Sequence, residues 1–157
     1  MCTLNGNYEE PYFKGEQFEI FVRTCLFVDR YYDLLEKSPL YTTNKALFSK
    51  SALKPDFKLE DWYTGKQFYV EAKYRSSWTK DMSVRWTYDL QFARYQTYNK
   101  ECPTFLILGV GGSPTRPDLV TLLPIALTSI ELRIHDVMPF RVDTSRAIRP
   151  ETLWYRF

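Results

Sequence analysis

The segment from Phe68 to Lys73 reads Phe-Tyr-Val-Glu-Ala-Lys, and it predicts the strand on which the expected fold depends. Apolar and polar side chains alternate over residues 67–74, which is typical of a strand with one face on a hydrophobic core. Residues 56–60 alternate in the same way, and the intervening segment contains Gly65. The two runs therefore predict an antiparallel hairpin whose apolar set faces the core and whose polar set faces outward.

The register of this hairpin decides whether two carboxylates meet. If the turn centres on residues 63–64, Asp56 lies opposite Glu71, with Cβ atoms within about 5.5 Å. Lys73 lies on the same strand face as Glu71, because the strand period is two. Two carboxylates can together hold Mg²⁺, a hard cation that prefers oxygen ligands. A lysine beside them can orient water and stabilise charge on a phosphate, so these residues suit phosphodiester hydrolysis.

The remaining segments predict a sheet with helices on both faces. From Gly15 onward, apolar residues recur at spacings of three and four from Phe18 to Leu35, which predicts one helix ended by Pro39. The other expected elements are a short strand over 46–48, a connection over 49–54, a helix from Trp86 to Lys100 closed by Pro103, a buried central strand from Thr104 to Val110, a turn over 111–114 and a strand from Leu119 to Leu123 ended by Pro124.

That order predicts an α/β protein with a three-layer α/β/α core and a mixed β-sheet. A length of 157 residues fits one domain. We expect a loose segment over 1–14, a core over 15–123 and a poorly patterned extension over 124–157, whose Trp154, Tyr155 and Phe157 pack against the body.

Composition excludes several classes of protein. The longest apolar run, Phe105 to Val110, is far too short to span a membrane, and no basic-then-apolar N-terminal signal is visible, so we expect a cytoplasmic protein without membrane contact. His135 is the only histidine, which excludes a multi-histidine zinc site. The three cysteines are widely spaced and predict reduced thiols. Catalysis would have to use carboxylates, lysine and a hard metal.

Charge is unevenly distributed along the chain. Residues 1–36 carry three basic groups against seven acidic ones, whereas residues 73–100 carry six basic groups against two acidic ones. A basic segment beside an acidic one suits a site that binds a polyanion and concentrates carboxylates for a metal. Two ordinary solvated faces would give the same pattern.

Three motifs resemble those of one nuclease superfamily. Pro55-Asp56, followed after 14 residues by Glu71-Ala72-Lys73, resembles the signature of the PD-(D/E)XK nucleases, which have the restriction-endonuclease-like fold. Upstream, the segment 15–19 is similar to the Gly-x-x-Phe-Glu opening of the family's first helix. Downstream, the segment 91–95 is similar to its Gln-x-x-x-Tyr motif. The three occur in the family's order.

The resemblance implies a metal site. Asp56 and Glu71 would ligate Mg²⁺, with Mn²⁺ as a substitute, and the Ala72 carbonyl would be a further ligand. Glu19 would reach the metal from the first helix, although Glu16, one turn away, could do the same work. Lys73 would position or activate the attacking water.

The resemblance also implies contacts with DNA. Gln91 and Tyr95, one helical turn apart, would steady the site or touch the substrate phosphate. Arg75, Trp78 and Lys80, after the catalytic strand, would contact the nucleic-acid backbone. The implied activity is a metal-dependent deoxyribonuclease, endonuclease or exonuclease, that cleaves phosphodiesters by attack of a metal-activated water.

Other interpretations stay open at this stage. Asp56, Glu71 and Lys73 would also suit the polar face of an exposed hairpin, and Tyr95 and Trp78 would suit core packing. A non-catalytic nucleic-acid-binding protein, or a nuclease subunit, would keep the fold without hydrolysis. A metal-free structural protein would leave the motif order to coincidence. The extension over 124–157 is too short for a target-recognition domain, so specificity would have to come from the 74–80 loop, the C-terminal tail, a second copy or another chain.

Overall fold

The computed structural model describes residues 11–38 and 54–155. In this part of the chain, a five-stranded mixed sheet carries helices on both faces, so the prediction of a mixed α/β architecture is confirmed. The strands and helices, in chain order, are α1 (Pro11–Phe21), β1 (Tyr32–Lys37), β2 (Phe57–Asp61), β3 (Gln67–Arg75), β4 (Ser83–Arg85), α2 (Asp89–Glu101), β5 (Thr104–Val110), β6 (Leu119–Pro124), β7 (Glu131–Arg133), α3 (Ile134–Val137) and α4 (Pro150–Tyr155).

The main sheet has the strand order β1-β2-β3-β5-β6. β3 and β5 are parallel, and the other three pairs are antiparallel. The chain passes from β3 to β5 through α2, the long connection that a parallel pair requires. β4 and β7 form a separate two-stranded sheet.

The predicted hairpin forms in the expected register. Phe57 pairs with Val70 and Leu59 with Phe68. These four side chains are buried on the side of the sheet that α1 covers. The alternation from 67 to 74 thus correctly located the strand and its apolar face.

The opposite side of the hairpin is not the open polar surface that the sequence predicts. Alternate residues of β5, including Leu106 and Leu108, form a second apolar cluster with Trp86 and with Tyr95 of α2. Glu71 lies on this side and is only 4% exposed. The expectation of an outward-facing polar set is therefore wrong, because α2 covers the middle of the sheet.

The prediction of one long first helix up to Leu35 is also wrong. α1 begins at Pro11 and continues as a π-helical turn over Val22–Leu26. Phe27 then leaves the helical region, with φ −101° and ψ 73°. Tyr32, which the three-and-four spacing had placed on the helix, instead begins the edge strand β1 and is buried beside Phe68.

The bounds of the later strands and helices agree closely with those that the sequence predicts. β5 spans the predicted residues Thr104–Val110, and all seven are buried. α2 begins at Asp89 rather than at Trp86, and an acidic first turn and a basic last turn suit its dipole. The turn after β5 uses Gly111 and Gly112 at positive φ, where other residues are strained.

The tail packs only in part as expected. The Trp154 ring meets Phe68 edge-on at 5.5 Å and its indole N–H donates to Asp61, whereas Tyr155 is 92% exposed. Phe157 lies outside the described residues, as do the expected strand over 46–48 and the residues 49–53 of the connection that follows it.

Two further observations concern cysteines and membrane contact. Cys25 is disulfide-bonded, so the expectation of reduced thiols is wrong for this residue, whereas Cys102 is a free, partly buried thiol. No helix in residues 11–38 or 54–155 is long and apolar enough to cross a membrane.

The contact between α1 and β5 gives a stability prediction. A Cβ at Gly109 would lie 2.5 Å from the buried ring of Phe18, whereas a Cβ at Gly15 on α1 would meet nothing within 4 Å. We expect Gly109→Ala to lower the free energy of unfolding by about 1–3 kcal/mol through overpacking. Gly15→Ala, the matched control, should raise it by about 0.5–1 kcal/mol. Urea unfolding measures both, and a neutral Gly109→Ala would mean that Phe18 does not pack there.

Candidate functional site

Asp56 and Glu71 meet where β2 begins. The β2–β3 register makes them neighbours, since position 57 pairs with position 70. The backbone N–H of Asp56 donates to Oε2 of Glu71 at 3.2 Å, and the backbone N–H of Ala72 donates to Oδ2 of Asp56 at 2.8 Å. Each carboxylate thus accepts a hydrogen bond from the backbone of the opposite segment. The two residues are cross-strand neighbours, as the sequence predicts.

Lys73 completes this group. Its Nζ lies 3.0 Å from Oε1 of Glu71. Burial favours the neutral amine, but the carboxylates of Glu71 and Asp56 outweigh this effect and raise the pKa of Lys73 above its usual value. A general base would need a pKa nearer neutrality, so Lys73 is suited to donate hydrogen bonds as a cation rather than to accept a proton.

Asp56 is held in an unfavourable electrostatic environment. Burial, followed by the negative charges of Glu71 and Glu19, raises its pKa well above the usual value, and Lys73 and the Ala72 N–H compensate only in part. The negative charge is therefore not fully neutralised by the protein. A bound divalent cation would relieve it.

Glu19 extends the group of carboxylates from α1. Its Oε1 accepts a hydrogen bond from Nζ of Lys37 at 2.8 Å. Burial raises the pKa of Glu19 despite Lys37, and the charges of Glu71 and Glu16 act in the same direction. Of the two alternatives open in the sequence, Glu19 is the one whose charge acts on Asp56.

Tyr95 approaches the same carboxylates from α2. Its hydroxyl hydrogen-bonds to Glu71, and burial together with the charges of Glu71 and Asp56 raises the pKa of the phenol. The ring is 2% exposed and stacks on Trp86 with 5.6 Å between centroids. Tyr95 can thus orient Glu71 but presents almost no surface to a ligand.

Gln91 lies one turn before Tyr95 but has a different partner. Its Oε1 accepts a hydrogen bond from the hydroxyl of Thr87 at 2.7 Å. This bond joins the first turn of α2 to the segment that precedes it. The structure therefore brings Tyr95 to the carboxylates, whereas the identified contact of Gln91 is structural.

Besides Tyr95, the three residues expected to contact the nucleic-acid backbone, Arg75, Trp78 and Lys80, have different surroundings. The guanidinium of Arg75 donates to the carbonyls of Tyr74, Arg85 and Trp86 at 2.9, 3.2 and 2.8 Å, which fastens β4 to β3. Trp78 is half-buried against the second apolar cluster. Of these three residues, only Lys80 is exposed to solvent.

Sequence reasoning missed two residues of this site. Lys37 lay inside the segment assigned to the first helix, so its ion pair with Glu19 was not foreseen. The sequence pattern predicts Trp86 only as the first residue of a helix, yet it is fully buried against Tyr95. An aromatic residue shortly before a Gln-x-x-x-Tyr segment was the one available signal for Trp86.

The oxygen donors of this site are of the chemical type that binds magnesium. Asp56, Glu71 and Glu19 supply carboxylate oxygens, the ligands that Mg²⁺ prefers, and the raised pKa of Asp56 indicates uncompensated negative charge. In residues 11–38 and 54–155, no three His, Cys, Asp or Glu side chains are already grouped so that they could hold a metal ion. Binding of one metal ion by all three carboxylates would therefore require their side chains to move closer together.

Comparison of the chain with models of protein families, with curated proteins and with solved structures finds no match in any of the three. What this site can do is therefore inferred from its own geometry.

The environment of Asp56 predicts an unusual pH dependence. A carboxyl group whose pKa is higher in the folded than in the unfolded state binds its proton more tightly when folded, so its contribution to stability is lost as pH rises from its unfolded to its folded pKa. We expect Asp56→Asn to be more stable than wild type at pH 8 in the presence of a chelator. The difference should shrink toward pH 4, because the wild-type side chain is then also neutral.

Urea unfolding across this pH range measures the effect. Asp33→Asn, which removes an exposed carboxylate from β1, is the control and should follow the wild-type pH profile. Equal stability of wild type and Asp56→Asn at pH 8 would contradict the strained environment of Asp56.

Proposed function

We propose that this protein is a Mg²⁺-dependent deoxyribonuclease that hydrolyses DNA phosphodiester bonds, with a restriction-endonuclease-like arrangement of its site. The observation that carries the proposal is the backbone-fixed pair of Asp56 and Glu71 with the Lys73 ammonium 3.0 Å from Glu71. Phosphodiester hydrolysis needs an activated water, a Lewis acid and a cation for the developing charge. The site offers two carboxylates for the metal and one lysine for the phosphate.

Each side chain has a distinct role in this proposal. Asp56 and Glu71 hold the metal, with Glu19 and the Ala72 carbonyl as further oxygen donors. Magnesium, when bound, supplies Lewis-acid activation of water and polarises the phosphate. Lys73 stays protonated and donates hydrogen bonds to the water or to a phosphate oxygen. Tyr95 keeps the Glu71 carboxylate in one orientation through its hydrogen bond.

A second candidate function is binding of nucleic acid without hydrolysis. Glu71 already interacts with Lys73, with Tyr95 and with the Asp56 N–H. These contacts would stabilise the strand pair without a metal. In this case Lys73 and Lys80 would still face a phosphate backbone, and a second copy or a partner protein would supply the catalytic site or the specificity. Metal binding separates the two candidates.

Activity provides the first test. Purified protein is incubated with plasmid, linear duplex and single-stranded DNA in Mg²⁺ or Mn²⁺, and products are resolved on gels. We expect cleavage that a chelator abolishes. Lys73→Ala should reduce the rate about 10²- to 10³-fold, the usual effect of losing one donor to a developing charge.

Lys66→Ala is the matched control, since Lys66 directly precedes the first residue of β3, at the opposite end of the strand from Lys73, and lies over the ring of Trp154. It should cut at the wild-type rate. Nicking of closed circles would identify an endonuclease, whereas attack on linear DNA alone would identify an exonuclease. Folded protein that cuts none of the substrates would refute the proposal.

Metal-linked stability provides a test that does not depend on activity. A ligand that binds only the folded state at ten times its Kd raises the free energy of unfolding by about 1.4 kcal/mol. We expect Mg²⁺ to stabilise wild type and Asp33→Asn by this amount. It should have no such effect on Asp56→Asn or Glu71→Gln. Equal stabilisation of all four proteins would place the metal elsewhere and favour the second candidate.

A further inference from the structure

A cleft of about 440 Å³ opens beside the carboxylates, between the end of β1 and the start of β2. We call it the basic cleft, because three of its lining residues are lysines and one is acidic. Its described lining residues are Glu36, Lys37, Ser38, Lys54, Pro55, Lys58 and Tyr69. The cleft is adjacent to the proposed metal site, since Pro55 directly precedes Asp56.

Two of the three lysines are available to an incoming anion. Lys37 is committed to Glu19 at 2.8 Å. Lys54 pairs with Glu36 at 3.5 Å, but both side chains are about half exposed, and such surface pairs contribute little. Lys58 lies over the ring of Tyr69, 5.4 Å from its centroid. Lys54 and Lys58 can therefore exchange these partners for a phosphate at small cost.

Lys58 of the basic cleft lies on the same face of the sheet as Asp56 and Glu71. Lys58 is two residues from Asp56, and its partner across the hairpin, Tyr69, is two residues from Glu71. Because side chains two apart on a strand share a face, Lys58 follows Asp56 on that face at a separation of about 7 Å. That separation corresponds to roughly two nucleotides of rise along one DNA strand.

The lining chemistry indicates contact with phosphate rather than with bases. Lysine is a point charge without the paired donors that read a base edge. The Tyr69 ring is 5% exposed and meets Tyr98 edge-on at 5.1 Å, so it has no open face on which a base could stack. Contacts of this kind position a strand and carry no sequence information.

We propose that the basic cleft binds the phosphate backbone of the DNA strand being cut, next to the scissile phosphate, through Lys54 and Lys58. This inference rests on the proposed function for its substrate class. It predicts that the strand leaves the metal site along the β1 side of the sheet, and that binding there is independent of sequence.

The test is DNA binding as a function of salt concentration. Fluorescence anisotropy with a labelled oligonucleotide in a chelator measures affinity without cleavage. Each phosphate contact contributes about 0.7 to 0.9 to the slope of log K against log salt. The double variant Lys54→Ala/Lys58→Ala should therefore lower the magnitude of the slope by about 1.4 to 1.8.

The double variant Arg30→Ala/Lys66→Ala is the matched control. It removes the same charge and two comparable cation–ring contacts, on Tyr31 and Trp154, near the other end of β2. It should keep the wild-type slope. In Mg²⁺, the Lys54/Lys58 variant should show a raised KM for cleavage with an unchanged kcat, because the substituted residues touch bound DNA but not the reacting phosphate.

The outcomes separate the two proposals. A wild-type slope in the Lys54/Lys58 variant overturns the basic cleft, while cleavage by wild type leaves the nuclease standing. A reduced slope without cleavage by wild type supports the cleft and removes the hydrolytic function. An equal loss of slope in both double variants also overturns the cleft, since general charge would then explain the binding.

Discussion

The pairing of β2 with β3 is the constraint on which the site depends. Phe57, Leu59, Phe68 and Val70 are each at most 1% exposed on the α1 side. A slip of β2 by one residue would turn Phe57 and Leu59 away from that core, at a cost of at least about 3 kcal/mol. The hydrophobic face thus fixes the register, and the register brings Asp56 beside Glu71 on the opposite face whether or not the two charges repel.

The same register explains why the carboxylates are buried next to cations. Three acidic groups, Asp56, Glu71 and Glu19, share a partly buried region with Lys73 and Lys37. Buried ion pairs seldom add stability, but loss of one partner leaves an uncompensated charge that is costly. Two cations leave three carboxylates short of neutrality, and in the proposed function this imbalance, more than the identity of any single residue, is what would favour binding of a divalent metal.

The sequence was informative where local pattern and tertiary packing agree. The period-two alternation in β3 and the apolar run of β5 located the centre of the sheet, and the hairpin arithmetic predicted the neighbours of Glu71. The sequence pattern was misleading at Tyr32. Its spacing from Phe18 is typical of a helix, but pairing with β2 places it in a strand. Burial by α2 was also not predictable from the alternation, because a polar residue under a helix has the same period as a solvated one.

The charge counts of whole segments did not predict the position of the basic cleft. The basic excess counted in the sequence lies over residues 73–100, yet Lys37, Lys54 and Lys58 come from the segment between this stretch and the acidic residues 1–36. They converge because β1 pairs with β2 in opposite directions, which brings Lys37 opposite Phe57. Asp56 directly precedes β2 and Lys58 lies two residues further on, so one short segment presents the proposed metal ligand and the proposed phosphate-binding ammonium in succession. With a cation held by the carboxylate, two positive charges would follow one another along this segment, and a polyanion would contact both, whereas a small anionic ligand would contact only one.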